Sequence, residues 1–531
     1  MVLIARDSGQ KLVSAKVKYS FQRGHNFMRF WRLFLVVLMC SACAAAQDMD
    51  KQARDEASKA FREKKIDAAA YAGFISKVNN GKSEEVLKEL GGVSSVSSAP
   101  LYSDWPNFLG PGRNGLSPET GVLKEWPEEG PKMLWRVPAN KGWGSPCIYK
   151  GQVFLSGAGK DGWSVNCYDA FAGKEVWKFN YKPERKVYPA GWGYCPRGTV
   201  TATEKYVYNM DEQGILLCLD RKTGAKIWMR DFIAENMPFP CSGDGWKGLC
   251  MSPLIEDKVI FQSNSLNIGE ERNSPNYLGI DAESGKNIWE VTAPKGNVNK
   301  GNITNGAGGA DPFQTPAVVM FEKEKCALVV HWNRVFAIRI RDGKIVWTLK
   351  NAGGKFHSIT PGITDSFLLL SPYWDTMSLF KVDWSDTSKE AYKVWEYKEG
   401  RMDCSTPVIY EGYAYALVEE KGKMTGPYFP RCIELATGKV MWEGEKIEMG
   451  ESLMLADGML YIRGANELLL VEANPGKYTL KSKFELPQKD KYFGWVMPAL
   501  AYGRLFVRTD TALLCYQAGK KIPSQSEANI K

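Results

Sequence analysis

The chain has 531 residues, 44% of them hydrophobic and 24% charged, which are globular values but too much chain for one ordinary core unless it is built from repeats. Its net charge of +9 misleads, because Arg6, Lys11, Lys16, Lys18, Arg23, Arg29 and Arg32 oppose only Asp7 in residues 1–46 and supply six of the nine charges. The remainder is close to neutral, which excludes a basic nucleic-acid footprint.

Residues 1–46 read as an N-terminal extension and a secretory signal peptide. Met28-Arg29-Phe30-Trp31-Arg32 is followed by the apolar run LFLVVLM (33–39) and then by CSACAAAQ (40–47). A positive stretch, a short apolar core and small residues ahead of a polar start are the parts of such a signal. Met28 is the expected start and Gln47 the first mature residue. The apolar run is short for a membrane span. A second reading makes Cys43 a lipid anchor, although Cys40 stands where a Leu is usual. Either way the chain is expected to be a bacterial exported protein, periplasmic or envelope-associated.

Residues 47–104 are polar and Ala-rich. Ser83-Glu84-Glu85 before VLKEL and Gly91-Gly92 predicts a short capped helix, and VSSVSSAP (93–100) a linker. From Trp105 the organisation changes. The stretch YDAFAGKEVW (168–177) returns as LDRKTGAKIW (219–228), IDAESGKNIW (280–289), IRIRDGKIVW (338–347) and IELATGKVMW (433–442). Trp395 and Phe484 continue the series and Trp135 precedes it. Steps of roughly 40–60 residues mark a propeller or array.

Each step has one grammar. SPCIYKG, QVFLSG, SVNCYDA and KEVWKF are four short β-rich runs separated by turn residues, hence four strands. The last two are joined through a glycine that supplies the positive φ of a tight hairpin, so enlarging Gly173 is expected to harm folding rather than chemistry. Pro146, Pro253, Pro316, Pro361, Pro407 and Pro498 open first strands, where proline is tolerated. Thr199-Val200 and Ser452-Leu453 open the two units without one, making eight. The eighth unit ends after ALLCYQAGK and lacks a fourth strand, while KMLWRV (132–137) is a fourth strand with no blade before it. Pairing the two closes the ring and removes the exposed edge. The predicted fold is all-β: an eight-bladed β-propeller over residues 105–520, closed by an N-terminal strand and followed by a polar tail, 521–531. A ring closed on itself is expected to be a monomer.

Twelve cysteines are present, two of them in the leader. Cys167, Cys218, Cys432 and Cys515 occupy one slot in different repeats, filled elsewhere by Gly279 and Ala337. A slot that takes Cys, Gly or Ala is a buried small-residue position, so these are expected to be packed thiols. Cys195 and Cys241, in successive long loops, are the better disulfide candidates.

The quoted stretches resemble the tryptophan-docking repeat of the pyrroloquinoline-quinone (PQQ)-like propeller family, A-x-D-x-x-T-G-K-x-x-W, with LDRKTGAKIW and IELATGKVMW the nearest copies. WPNFLGPGRNGLSP (105–118) also looks like the lead-in of exported members. The resemblance implies that Trp135, Trp177, Trp228, Trp289, Trp347, Trp395 and Trp442 dock between neighbouring blades. It implies two kinds of function, because quinoprotein alcohol dehydrogenases and BamB-type outer-membrane assembly propellers share the fold. The dehydrogenases carry PQQ, a vicinal Cys-Cys disulfide and calcium held by Glu, Asn and Asp. This chain has no adjacent cysteines and no C-x-x-C-H haem site, and only Asn305 and Asp311 imitate the calcium ligands.

The long connections 181–198, 231–250, 263–276 and 292–314 fall on one face, where loops usually carry binding sites. Trp143, Trp192, Arg197, Asp244, Trp246, Asn305, Asp311, His331, His357, Trp374, Arg401 and Asp403 are the candidate ligand-binding residues there, with Trp as a stacking platform and the polar groups fixing a ligand. The competing reading makes each a loop cap or surface residue. Two histidines cannot build a three-His zinc site, no G-x-S-x-G turn supports a triad, and GAGGAD (306–311) does not open a helix as a phosphate cradle would. The expectation is an exported, non-catalytic propeller that binds a protein partner or polar ligand on this face. The alternative is a periplasmic PQQ-dependent alcohol or sugar dehydrogenase.

Overall fold

The structure is a computed structural model of the chain. It describes residues 2–6, 12–16, 102–184, 195–235, 249–263, 277–292, 314–331, 334–350, 352, 359–372, 376–402, 405–420, 426–448, 452–487 and 496–528. The chain divides into two units, Met1–Ser98 and Ala99–Lys531. In the first, the described elements are strands Val2–Arg6 and Leu12–Lys16, paired antiparallel. The leader from Met28 and the helix expected near 83–92 lie outside the described residues.

The second unit is the eight-bladed propeller. Its first strands are Cys147–Tyr149, Thr201–Ala202, Leu254–Glu256, Ala317–Phe321, Gly362–Ile363, Val408–Tyr410, Ser452–Ala456 and Ala499–Ala501. Six of these begin directly after the prolines that mark them in the sequence. The fourth, outer strands of blades 1–7 are Glu175–Tyr181, Lys226–Asp231, Asn287–Val291, Ile345–Leu349, Tyr392–Tyr397, Val440–Glu443 and Leu480–Glu485. Every blade is an antiparallel meander. Blade 8 runs Ala499–Ala501, Arg504–Arg508, Ala512–Gln517 and then Met133–Pro138, with Cys515 opposite Trp135. The N-terminal strand closes the ring as its sequence requires.

The small-residue slot lies directly across from the outer-strand tryptophan. Cys167 pairs with Trp177, Cys218 with Trp228, Gly279 with Trp289, Ala337 with Trp347 and Cys432 with Trp442. A register shift follows the slot each time; such a bulge increases local twist. The cysteines there are free, buried thiols.

Each tryptophan also reaches the next blade. Trp177 donates its indole N–H to the Arg221 carbonyl at 2.9 Å, and a Cβ on Gly224 would sit 2.6 Å from its ring. Trp135 meets Gly173, Trp228 meets Gly285, Trp289 meets Gly343 and Trp395 meets Gly438 in the same way. All five glycines have φ between +70° and +75°. One residue therefore satisfies two demands, a left-handed turn and close approach of an indole face. Blade 5 differs. Its connection between third and fourth strands has no glycine, and Trp384 fills the place, 6.0 Å from Trp347 and 5.3 Å from Phe321 between ring centroids.

A strap, residues 102–123, crosses the turn-rich end of the ring. Trp105 bridges to Ile148 of blade 1, and the Pro106 carbonyl accepts from Ala202 of blade 2 at 2.9 Å. Arg113 reaches the Ile255 carbonyl of blade 3 at 3.1 Å. Leu116–Ser117 pairs parallel with the first strand of blade 7, and Val122 bridges to Gly519 beyond blade 8. Trp105 and Leu109 are fully buried there.

Candidate functional site

In such a meander the connections between second and third strands, and from fourth to next first strand, share one face. The ends of the described strands put the connections 182–200, 232–253, 264–276 and 292–316 on it. The opposite face holds the tight turns and the strap.

Just inside the loop-rich face lies a belt of hydroxyls. Ser145, Thr199, Ser252, Thr315, Thr360, Thr406 and Ser452 stand immediately before or at the start of a first strand in blades 1–7, all buried. The backbone N–H of Ser145 donates to Thr199 Oγ1 at 2.9 Å, that of Thr199 to Ser252 Oγ at 2.9 Å, and that of Ser252 to Thr315 Oγ1 at 3.0 Å. Thr360 donates to the Thr315 carbonyl at 2.7 Å and, through its N–H, to Thr406 Oγ1 at 3.3 Å. Met497 N–H donates to Ser145 Oγ at 2.9 Å and joins blade 8 to blade 1. A proline that follows has no N–H to offer, so the hydroxyl before it is well placed to satisfy the neighbour's backbone instead.

Above the belt, two of the candidate residues come together. The Arg197 guanidinium lies 4.8 Å from the Trp143 ring centroid, and Trp143 N–H donates to the Pro196 carbonyl at 2.8 Å. Both side chains are buried. Cys195 packs with Trp143 and Val496 as a free thiol, pushed up to about 12 by burial and, to a lesser degree, by Glu212. Cys241, its expected disulfide partner, lies outside the described residues.

The turn between second and third strands of blade 2 carries Asp211 and Glu212, both fully buried. Glu212 accepts the Trp163 indole N–H at 3.0 Å and feels the charge of Arg197. Asp211 accepts the N–H groups of Gln213 at 2.9 Å and Ile215 at 2.8 Å. Burial raises both carboxyls, and for Asp211 the neighbouring Glu212 raises it further.

Two arginines end the second strands of blades 7 and 8. Arg508 donates to the carbonyls of Gly144 at 2.9 Å, Asn140 at 2.8 Å and Ser156 at 2.6 Å, tying blade 8 to blade 1. Burial pulls it down to about 10. Arg463 donates to the Arg508 carbonyl. Arg401 lies elsewhere, in blade 6, paired with Glu419 at 2.8 Å; the two side chains are 5% and 0% exposed.

Of the other candidates, His331 is the last residue of a second strand in blade 4, opposite Arg334. Trp192, Asp244, Trp246, Asn305, Asp311, His357, Trp374 and Asp403 lie outside the described residues. Sequence reading passed over the hydroxyl belt, Asp211-Glu212 and the two strand-end arginines. The signals were there: S/T-P at five first strands, and DEQG, YIR and FVR at blade ends.

The described mouth does not fit a quinone with calcium. Glu212 is taken by Trp163 and Asp211 by its own turn, and the sequence has no adjacent cysteines to back a quinone ring. Among the described residues no cluster of three or more His, Cys, Asp or Glu could hold a metal.

Eight four-stranded blades with indoles docked on turn glycines define an eight-bladed β-propeller. A family model described as outer membrane protein assembly factor BamB matches residues 119–237 and 160–355. The chain is 21% identical over 319 residues to outer membrane protein assembly factor BamB of Yersinia pestis, covering 57% of this chain and 72% of that protein. Among solved structures, it resembles quinohemoprotein alcohol dehydrogenase ADHIIG from Pseudomonas putida HK5, with a TM-score of 0.56, 12% identity, and 79% and 81% of the two chains covered. The quinohemoprotein alcohol dehydrogenase of Comamonas testosteroni gives a TM-score of 0.52 at 12% identity, covering 79% and 82%. At such identity these two likenesses bear on fold alone.

Proposed function

We propose that the chain is an exported, non-catalytic BamB-like propeller of the cell envelope that presents its loop-rich face to a protein partner. The observation that carries this reading is the one-sidedness of the molecule. Its repeated residues are spent on the wall, and its strap and tight turns on one face. The described strands end at the other face on either side of the long, unequal connections, where partners are usually met. The likeness in sequence to an outer membrane protein assembly factor supports the same reading. Charged groups described at the mouth are engaged with backbone and with one another, which suits a scaffold.

Trp192, Asp244, Trp246, Asn305, Asp311, His357, Trp374 and Asp403, on the connections, are the residues through which that face would make contact. Asp311→Ala with Asp403→Ala is expected to leave folding intact and weaken partner binding. The dehydrogenase alternative is tested separately. Purified chain mixed with PQQ and calcium is expected to gain neither a bound chromophore nor dye-linked alcohol oxidation; a clear gain of both sinks the proposal.

A further inference from the structure

The ring closes where the two ends of the propeller meet, and that seam is built unlike the other seven. Blade 8 has no hairpin between its third and fourth strands, so Met133–Pro138 is attached to Ala512–Gln517 by pairing alone. Three carboxylates fasten the strap beside it. Asp104 accepts Lys150 N–H of blade 1 at 2.9 Å and the Tyr502 hydroxyl. Asp457 of blade 7 accepts the N–H groups of Gly121 at 3.1 Å and Val122 at 3.3 Å. Glu119 is the innermost, 1% exposed. Its carboxylate accepts Ser103 N–H at 2.8 Å from the strap itself, and Tyr502 N–H at 2.5 Å and Gly503 N–H at 2.9 Å from the first turn of blade 8.

We propose that residues 102–138 form a closure latch in which Glu119 is a proton-sensitive bolt, holding the strap to blade 8 and so governing how often the seam opens. Through one buried side chain Glu119 joins Ser103 of the strap to Tyr502 and Gly503 of blade 8. Opening the seam would detach the strap and bring this carboxyl into water. Burial raises Glu119 from its ordinary 4.5 to about 7, against the lowering effect of its three N–H donors. Around it stand Tyr102 on the strap, Tyr461 of blade 7, and Tyr502 and Arg504 of blade 8; Arg504 donates to the Tyr502 carbonyl at 2.9 Å and faces Asp169 and Tyr102. Between pH 7 and 4.5 the closed seam holds a proton that the opened one releases, so closure strengthens as pH falls through about 7 and levels off near 4.5.

The test is hydrogen exchange on the full chain, comparing protection of amides 133–138 and 512–517 with those of the blade 2 strands 215–220 and 226–231. Wild-type seam protection, relative to blade 2, is expected to rise roughly 50-fold from pH 8 to pH 5. Glu119→Gln, which cannot titrate, is expected to abolish that rise. Glu119→Ala is expected to lower seam protection at both pH values while blade 2 keeps its own. The proposal is overturned if Glu119→Gln retains the pH dependence, or if Glu119→Ala loosens all blades equally. Should the alanine variant fail to fold, the glutamine variant alone decides.

Discussion

Replacing Gly224 with alanine separates the docking account from a simple turn account. At φ +72° any side chain is strained, by about 1 kcal/mol. The new Cβ would also lie 2.6 Å from Trp177 Cδ2 and Cε3, which real Cβ atoms do not tolerate. The indole cannot swing away freely, because its N–H is tied to the Arg221 carbonyl at 2.9 Å and its ring packs 5.8 Å from Phe154. Overpacking of this kind costs about 1–3 kcal/mol, so the variant should lose about 2–4 kcal/mol in all. Gly412 is the control: its φ is +84° and nothing lies within 4 Å of its Cβ, so Gly412→Ala should lose only about 1 kcal/mol. Urea unfolding followed by tryptophan fluorescence measures both. Adding Trp177→Leu to Gly224→Ala should cost less than the sum of the two single changes, because the smaller side chain relieves the clash. Equal losses for Gly224→Ala and Gly412→Ala, or strict additivity with Trp177→Leu, would refute the docking argument.

Other expectations follow from the site. Arg401→Met should cost about 3–5 kcal/mol by stranding the fully buried Glu419 charge, and Arg401→Met with Glu419→Met should recover most of it; thermal melts of the three proteins check this. Ser145→Ala should cost about 1–2 kcal/mol by leaving Met497 N–H unpaired, read as faster exchange of the amide of Met497 in particular. Cys195, Cys218 and Cys326, raised to about 12 by burial, and Cys432, raised to about 11, should resist alkylation at pH 8 until urea unfolds the chain; rapid labelling of these four in the native protein would contradict the packing described.

The blades were legible because each is local. The eleven residues from Cys218 to Trp228 carry the small slot, the turn glycine and the docking aromatic in one stretch. Closure was legible for the same reason, since a missing fourth strand and a surplus one are both visible as runs. The strap was not. Its partners Ile148, Ile255, Leu455 and Gly519 are scattered over the chain, and nothing in WPNFLGPGRNGLSP states which of them it meets. Blade 5 shows another limit: the docking place of a glycine is taken by Trp384, which has no counterpart in the repeat. In the candidate site, Trp143 and Arg197, picked by residue type and by their place before first strands, pack on each other. Asp211 and Glu212 were missed because the two acids of DEQG look like an exposed turn, and their partners Tyr181 and Trp163 lie 30 and 49 residues earlier in the chain. Arg401 was picked for its place on the face, yet it points into an ion pair with Glu419, a contact 18 residues away that no periodicity announces.

The proposal that this propeller serves the envelope by binding rather than by oxidising has one most direct test: depletion of the chain in its native host, with the amount of assembled outer-membrane protein measured in isolated membranes. The proposal predicts a fall that is restored by wild-type chain and not by the Asp311→Ala, Asp403→Ala variant. Unchanged levels on full depletion would contradict it.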